Sequence, residues 1–208
     1  MPLEIEVKFS VLDFGPVEEV LQAHGHLAVP WHLESNVVLD TPEGRLASEG
    51  TLLRVRSGAT PLLTLKRKSL DSEAVAGAKV RREDECGLES AQAMLGILLE
   101  LGFVVSARYE KFRRVWRFGE CSICQDILPF GRYWEIEGEE RDIWSAARAL
   151  SLSRDEALDS DYHSLFRLFG GGTADSRGFA FDSAERMRLS QTLDVPVSPE
   201  AMAMDHLG

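Results

Sequence analysis

The sequence predicts an α+β fold in which eight antiparallel strands close into a barrel and the helices pack against its outside. Short segments that alternate apolar and charged residues recur along the chain, which is typical of antiparallel strands that pack one face. Their charged faces differ in sign: Glu4-Ile5-Glu6 and Glu135-Ile136-Glu137 pair carboxylates, whereas Lys66-Arg67-Lys68 pairs cations. A solvated outer face would explain any one of these strands. Their recurrence favours a closed, water-filled interior lined with charge.

Five strands and one helix are predicted in the first part of the chain. The strands lie at residues 3–9, 33–40, 52–57, 62–68 and 79–86. The helix, at 17–24, starts after Pro16 and ends at Gly25, because proline is favoured in the first turn and glycine at the C-terminal stop. The turn Thr41-Pro42-Glu43-Gly44 closes the second strand, and Gly58-Ala59-Thr60-Pro61 joins the next two as a hairpin.

Three more strands follow a second helix. That helix, at 91–101, takes Ser90 as its N-cap and stops at Gly102. The strands form a meander at residues 107–118, 122–128 and 132–139. Helices are then predicted at 143–150 and 155–169, and Asp159-Ser160-Asp161 is a candidate break in the second of them.

The glycine run Gly170-Gly171-Gly172 suggests where the main domain ends. We assign residues 1–169 to one domain and residues 170–208 to a C-terminal extension, helical or flexible. The extension is polar and holds one helix candidate, at 183–193. The sequence does not decide between an appended helix, a plug and a flexible tail.

The overall charge and composition exclude several classes of protein. The chain of 208 residues has 23 Lys and Arg against 34 Asp and Glu, a formal net charge of −11, which disfavours binding to a nucleic-acid backbone. No apolar run is long enough for a membrane helix. The N-terminus, Met1-Pro2-Leu3-Glu4, is charged where a signal peptide would be apolar, so a cytoplasmic location is expected.

One part of this acidic chain is strongly basic. Residues 54–82 hold eight Lys and Arg against two acids, a formal charge of +6. Side chains two positions apart share a strand face, so Arg54 points with Arg56, and Lys66 with Lys68. A cationic face turned inward beside the carboxylate pairs would suit a polyanion and its divalent metals.

The order of these charged motifs resembles the CYTH superfamily, the triphosphate tunnel metalloenzymes. The resemblance covers residues 3–169 and rests on Glu4-x-Glu6-x-Lys8, Asp40-Thr41-Pro42, Leu53-Arg54-Val55-Arg56, Thr64-Leu65-Lys66, Arg81-x-Glu83-x-Glu85, Lys111-x-Arg113, Asp126, Gly131, Glu135-x-Glu137 and Tyr162-x-x-Leu165. One departure is that Val37 or Val38 stands where members often carry an aromatic residue. Stacking of a substrate ring there is therefore not expected.

The resemblance implies a role for each charged residue of the interior. The implied phosphate-binding residues are Lys8, Arg54, Arg56, Lys66, Arg81, Lys111 and Arg113. The implied ligands of Mg²⁺ or Mn²⁺ are Glu4, Glu6, Asp126, Glu135 and Glu137. The implied catalytic residues are Lys8, Glu83 and Glu85, with Lys8 orienting or protonating a phosphate.

The activity implied first is metal-dependent hydrolysis of inorganic tripolyphosphate or of an organic triphosphate such as thiamine triphosphate. The alternatives are a class IV adenylate cyclase that forms cyclic AMP and pyrophosphate from ATP, and a polyphosphate or nucleotide binding module without turnover. The expected partner is a small-molecule triphosphate, with no nucleic acid and no membrane. Whether the chain forms a homodimer stays open.

The pair Cys121-Ser122-Ile123-Cys124 is the one motif that points to different chemistry. A Cys-x-x-Cys spacing occurs in zinc and redox sites. Here it falls within a predicted strand, where residues three apart face opposite sides. The sequence therefore predicts that these two thiols do not meet.

Overall fold

The computed structural model describes residues 3–68, 79–171 and 178–196 of the chain. Within them the strands are β1 Leu3–Val11, β2 His26–Asp40, β3 Leu52–Ser57, β4 Leu62–Lys68, β5 Lys79–Gly87, β6 Val104–Phe118, β7 Cys121–Leu128, β8 Gly131–Glu137 and β9 Gly178–Phe179. The helices are α1 Gly15–His24, α2 Arg45–Ser48, α3 Ala91–Glu100, α4 Glu140–Ala149, α5 Tyr162–Phe169 and α6 Ser183–Leu193. A 3₁₀ turn spans Arg154–Glu156.

Eight of the strands form a closed ring. Their order is β2-β3-β4-β5-β1-β8-β7-β6, and pairing of β6 with β2 returns the sheet to its start. All of these pairs are antiparallel, whereas β9 pairs in parallel with β6. The predicted α+β fold with eight antiparallel strands closed on themselves is confirmed.

The outer face of the ring is apolar and is covered by helices. Leu21 of α1 and Ile143 of α4 pack in one cluster that contains Trp116 and Trp134 of the ring. A second cluster places α3 against β2 and β3, with Leu95 at its centre. Burying such side chains stabilises the fold by about 1.5–3 kcal/mol each. This packing leaves the charged residues of the same strands on the inner face.

Strand β2 begins at His26, not at residue 33 as predicted, because it pairs with β6 along almost its whole length. Pro30 lies in the part of β2 that the prediction left out. The pairing register shifts between Val29 and His32, and a proline, which has no N–H to donate, fits at such an irregularity.

The helix predicted at 155–169 is divided. A 3₁₀ turn comes first, then Leu158 exchanges backbone hydrogen bonds with Lys8 at 2.8 and 3.1 Å. The Asp161 side chain accepts a hydrogen bond from the Ser164 N–H at 2.9 Å and caps α5. The break falls at the Asp159-Ser160-Asp161 stretch that the sequence analysis singled out.

Helix α5 lies differently from the helices on the outer face, because its first residue reaches the interior. Tyr162 and Leu165 join a third apolar cluster, the aromatic cluster, whose buried members are Tyr109, Leu128, Tyr133, Tyr162, Leu165 and Phe179. Tyr109 and Tyr162 also line the central cavity. The aromatic cluster therefore borders the charged interior.

The C-terminal segment, defined here as residues 178–196, packs against the ring. Helix α6 coincides with the helix candidate at 183–193. Phe181, Leu189 and Val195 are buried in the cluster that holds α1 and α4. In the part of the chain that is described, no helix is both long enough and apolar enough to cross a membrane.

Candidate active site

The ring encloses a cavity of about 630 Å³ that is lined by charged side chains. Among the described residues, eight cationic and eight acidic side chains line it. The cationic ones are Lys8, Arg54, Arg56, Lys66, Arg81, Lys111, Arg113 and Arg167. The acidic ones are Glu4, Glu6, Glu34, Glu83, Glu85, Glu135, Glu137 and Asp161. The lining is thus formally balanced, although the segment 54–82 is basic.

The structure brings all but one of the predicted site residues to this cavity. Asp126 is the exception, since its carboxylate is fully buried below the cavity surface. Its oxygens accept hydrogen bonds from Arg113 at 2.6 Å, Tyr162 at 2.7 Å and Lys111 at 3.3 Å. Asp126 therefore anchors interior side chains and is not among the described carboxylates that cluster closely enough to hold a metal ion.

Three carboxylates meet where β1 and β8 pair. Oxygen atoms of Glu4, Glu6 and Glu137 lie within 4.8 Å of one another, and Glu6 is directly opposite Glu137 in the register. Burial, and then the neighbouring Glu135 carboxylate, raise the pKa of Glu137 well above its ordinary value. Mg²⁺ and Mn²⁺ prefer oxygen ligands. The three clustered side chains Glu4, Glu6 and Glu137, called the carboxylate group below, therefore fit such an ion.

Lys8 lies beside this group and bridges one of its members, Glu6, and the neighbouring Glu135. Its Nζ is 2.7 Å from Glu6 and 3.0 Å from Glu135. Burial alone would lower the pKa of Lys8, but the two carboxylates raise it well above the ordinary value. Lys8 is therefore a permanent cation. It is suited to orienting a phosphate and poorly suited to giving up a proton.

Lys66 connects the carboxylate group to β5. Its Nζ is 2.7 Å from Glu4 and 3.2 Å from Glu83. Burial raises the pKa of Glu83 to about 7. The Lys66 cation opposes this rise in part, and the Glu4 carboxylate adds to it. A carboxylate with such a pKa can accept a proton near neutral pH, which is what a general base requires.

Arg113 is held by two acids. It donates to both oxygens of Asp126 at 2.6 Å and to Glu135 at 2.8 Å. Burial alone would lower the pKa of Arg113, but Asp126 raises it well above the ordinary value. The guanidinium thus forms a bidentate pair with Asp126 and a further hydrogen bond to Glu135. Bidentate pairs with carboxylates are among the strongest that arginine forms.

Arg54 contrasts with Arg113, because its close partners are neutral. It donates to the Tyr109 hydroxyl at 2.9 Å and to the Thr64 hydroxyl at 3.2 Å. Its ion pair within the described residues is to Glu85, at 3.9 Å. Its buried Nε has no hydrogen-bond partner there. A buried cation with an unused donor is prepared to bind an anion.

Glu34 extends the site along β2, and the sequence analysis assigned no role to it. Glu34 lies 3.4 Å from Arg56 and 3.5 Å from Lys111, and the buried Asn36 amide has no hydrogen-bond partner among the described residues. Side chains two positions apart share a strand face, so alternation back from Asp40 would have placed Asn36 and Glu34 on the same face. Asp40 itself accepts from the N–H groups of α2 and caps that helix.

The roles of Tyr109 and Tyr162 were also missed. Tyr162 belongs to a motif that the sequence analysis quoted, but no pattern indicated that its ring would lie 5.2 Å from Lys8 and 5.4 Å from Lys111. Tyr109 shares a strand face with Lys111 and Arg113, which alternation alone could have shown. A tyrosine among lysines and arginines is a candidate hydrogen-bond acceptor for them.

The two cysteines of β7 face opposite sides, as predicted. Cys124 lines the cavity, whereas Cys121 is buried in the outer cluster with α1 and α4. Burial raises the pKa of Cys121 to about 11 and that of Cys124 well above its ordinary value. Cys86 is exposed, and all three thiols are free.

We therefore expect only one thiol of the native protein to react quickly with dithiobis(nitrobenzoic acid), since thiolate content and access set the rate. Absorbance should report one fast thiol in the native protein and three after denaturation. The Cys86→Ser variant should lose the fast phase. Fast loss of two further thiols in that variant would show that β7 is not packed as described.

Comparisons with known proteins agree with this architecture. A proposed adenylate cyclase from Vibrio parahaemolyticus is 20% identical with a TM-score of 0.69, covering 79% of this chain and 97% of that chain. The PH1012 protein of Pyrococcus horikoshii is 21% identical with a TM-score of 0.63, covering 78% and 98%. HpAC1 from Hippeastrum, a proposed adenylyl cyclase with a dominant triphosphatase activity, is 23% identical with a TM-score of 0.58, covering 85% and 100%.

At these identities the three structures establish the fold and no more. Among curated proteins, none matches the sequence. The model of the CYTH domain matches residues 2–159, more than half of the chain, and it spans the eight strands of the ring. The chain is therefore a member of the CYTH domain family.

Proposed function

We propose that this protein is a metal-dependent triphosphatase whose substrate is inorganic tripolyphosphate. The observation that carries the proposal is the meeting of two charge types in one cavity. The carboxylates of Glu4, Glu6 and Glu137 face the cations Lys8 and Lys66 inside a closed ring of strands. Phosphoryl transfer depends chiefly on positioning and on charge neutralisation, and this cavity supplies both.

The charge balance of the cavity explains why a metal ion would be needed. A triphosphate carries about four negative charges, whereas the lining holds as many acids as cations. The anion is attracted only when the carboxylate group is itself neutralised. Glu4, Glu6 and Glu137 would hold Mg²⁺ or Mn²⁺. Such an ion, when bound, neutralises negative charge on phosphate oxygens.

The cations divide into two roles. Arg54, whose partners are hydroxyl groups, has donors left for phosphate oxygens. Lys8 and Lys66 lie next to the carboxylate group and would contact the phosphate nearest to it. Arg113 is occupied by Asp126 and Glu135, so we assign it to holding the interior together more than to binding substrate.

Glu83 is our candidate for the base. Water attacks the terminal phosphorus, its proton passes to the Glu83 carboxylate, and the bridging P–O bond breaks to release pyrophosphate and phosphate. Glu83 lines the cavity 3.2 Å from Lys66, and burial raises the pKa of its carboxyl group, which favours its acceptance of a proton. Lys8 stays protonated and fixes the orientation of the phosphate.

The aromatic residues of the cavity favour an inorganic substrate over one with an organic ring. Tyr109 packs against His163 and Phe179 at centroid distances of 5.1 and 5.2 Å, and Tyr162 carries Lys8 and Lys111 near its ring. Both tyrosine rings are therefore already in contact with groups of the protein. No tryptophan or phenylalanine lines the cavity among residues 3–68, 79–171 and 178–196.

The adenylate cyclase activity is the second candidate, because three structures of the same fold are described as proposed adenylate cyclases, although one of them, HpAC1, has a dominant triphosphatase activity. The decisive assay supplies tripolyphosphate, thiamine triphosphate and ATP in turn with Mg²⁺ or Mn²⁺ and measures phosphate, pyrophosphate and cyclic AMP. We expect the highest turnover on tripolyphosphate, lost on chelation. Cyclic AMP as the main product would identify a cyclase, and binding without turnover would identify a binding module.

Replacing Arg54 by methionine should weaken binding of the triphosphate selectively. Loss of a hydrogen-bonded charge costs about 1.5–3 kcal/mol, so KM for tripolyphosphate should rise about 10- to 100-fold by the usual free-energy conversion. The inhibition constant of monophosphate should change less. The matched control is Arg67→Met on the outer face of β4, where Arg67 pairs with Asp84 at 2.9 Å. Equal losses for both ligands would place Arg54 away from the bound phosphate chain.

A further inference from the structure

The C-terminal segment docks on a part of β6 that β7 leaves uncovered. β6 pairs with β7 only from Phe112 to Phe118, whereas β9 pairs with Arg108 and Tyr109. On the outer side of β6, Glu110 accepts a hydrogen bond from the Phe181 N–H at 3.2 Å and pairs with Arg186 at 2.9 Å. The segment thus extends the ring where β6 would otherwise present an open edge.

A glycine permits this close approach. Gly178 has φ +152°, and a Cβ placed on it would lie 1.6 Å from the carbonyl oxygen of Arg108. No side chain larger than hydrogen fits between the two backbones. The register that sets Phe179 beside Tyr109 is therefore specified by the sequence of the segment itself.

Phe179 confines the ring of Tyr109. The two ring centroids are 5.2 Å apart, and His163 contacts the same tyrosine edge-on at 5.1 Å. Phe179 is buried in the aromatic cluster, where Phe130 and Phe166 surround it at 5.0 and 5.3 Å. The tyrosine is thereby held in one orientation from the side of the C-terminal segment.

The hydroxyl of that tyrosine is one of two groups that hold Arg54. Arg54 donates to Tyr109 at 2.9 Å and to Thr64 at 3.2 Å, and its ion pair to Glu85 is long, at 3.9 Å. A guanidinium fixed by neutral hydrogen bonds moves when its acceptor moves. A shift of Tyr109 would therefore carry the guanidinium of Arg54 with it.

From these contacts we propose that the C-terminal segment is a positioning element of the site, in which Phe179 fixes Tyr109 and Tyr109 fixes Arg54 for a phosphate of the substrate. The segment lies beyond residues 2–159, the range of the CYTH match. Phe179 itself does not line the cavity, so it acts through Tyr109. This inference rests on the proposed function, because it assigns Arg54 to a triphosphate.

The test compares Phe179→Ala with Phe181→Ala in the full chain. Phe181 belongs to the same segment but packs against Phe112 of the outer face, at 5.3 Å, so it is a matched control for the loss of a buried aromatic ring from the segment. We expect Phe179→Ala to raise KM for tripolyphosphate about 10-fold with kcat little changed, and Phe179→Leu to recover part of the loss. Phe181→Ala should leave KM within about twofold.

A double-mutant cycle shows whether the effect passes through the tyrosine hydroxyl. Once Tyr109→Phe has removed that hydroxyl, Phe179→Ala should raise KM no further. Additive effects, or equal changes of KM in Phe179→Ala and Phe181→Ala, would overturn the proposal. Either result would mean that the segment only stabilises the fold.

A readout that does not need turnover keeps this test separate from the proposed function. The Nε–H resonance of Arg54 in an NMR spectrum, identified by its loss in Arg54→Lys, should shift in Phe179→Ala and stay in place in Phe181→Ala. An unmoved resonance in Phe179→Ala would sink the positioning role. If the wild-type protein hydrolyses no triphosphate, the proposed function fails, and this resonance still reports whether Phe179 positions Arg54.

Discussion

Replacing Glu4 and Glu6 together by glutamine is expected to lower metal-dependent hydrolysis of tripolyphosphate by about 10³-fold or more, because two of the three clustered carboxylates lose their charge. Binding of Mg²⁺ or Mn²⁺ alone, measured by calorimetry, should be lost in the same variant. The fold should persist. Glutamine keeps the size of the side chain, while Lys8 retains Glu135 at 3.0 Å and Lys66 retains Glu83 at 3.2 Å.

The matched control for this variant is Asp84→Asn. Asp84 lies on β5 between Glu83 and Glu85, but it faces outward and pairs with Arg67. Its replacement should leave both metal binding and turnover unchanged. Full activity in the double glutamine variant would show that Glu4 and Glu6 are not the metal ligands. A variant that unfolds would show that these carboxylates serve the fold instead.

The largest expected effect on stability comes from replacing Arg113 by methionine. This change leaves Asp126 and Glu135 buried without their shared cation, and removing one partner of a buried ion pair costs about 3–5 kcal/mol. The free energy of unfolding in urea at neutral pH should fall by that amount. Arg54→Met is the matched comparison, because Arg54 is equally buried but bonded to hydroxyl groups, and it should cost less. An equal loss of unfolding free energy in both variants would contradict the assignment of Arg113 to the interior ion pairs and of Arg54 to substrate binding.

The same variant should have a characteristic pH dependence. Burial alone would raise the pKa of Glu135, but Lys8 and Arg113 hold it well below its ordinary value. A depressed pKa stabilises the folded state above the ordinary pKa of the group, and this contribution is lost as the pH falls through the folded-state value. The stability difference between wild type and Arg113→Met should therefore shrink on acidification. A difference independent of pH would exclude this ion pair as its cause.

Much of the candidate site could be predicted from alternation alone. Side chains two positions apart share a strand face, so Glu4, Glu6 and Lys8 were expected to point together, and they do. Alternation predicts the strand face on which a side chain lies. It predicts neither the position of that side chain along the axis of the ring nor the residue that it contacts on another strand. Asp126 shows the limit: it has the right face, but Arg113 and Tyr162 occupy its oxygens.

Other features depended on tertiary contacts that no local pattern encodes. β9 is two residues long, too short for any periodicity to indicate it. The contact of Phe179 with Tyr109 joins segments on opposite sides of a glycine run. Tyr162 begins a helix and was expected to pack outside with the others. Its place beside Lys8 follows from the break before α5, which returns the chain to the ring at Leu158.

The position of β1 in the ring has a consequence for how the protein folds during synthesis. β1 precedes the other strands of the ring in chain order, yet its two neighbours are β5 and β8, the latter being the last strand of the ring in that order. Pairing between such distant segments slows folding to about milliseconds to seconds. Glu137, at the end of β8, joins Glu4 and Glu6 only at that stage. A nascent chain therefore lacks the assembled carboxylate group until the whole ring has been translated.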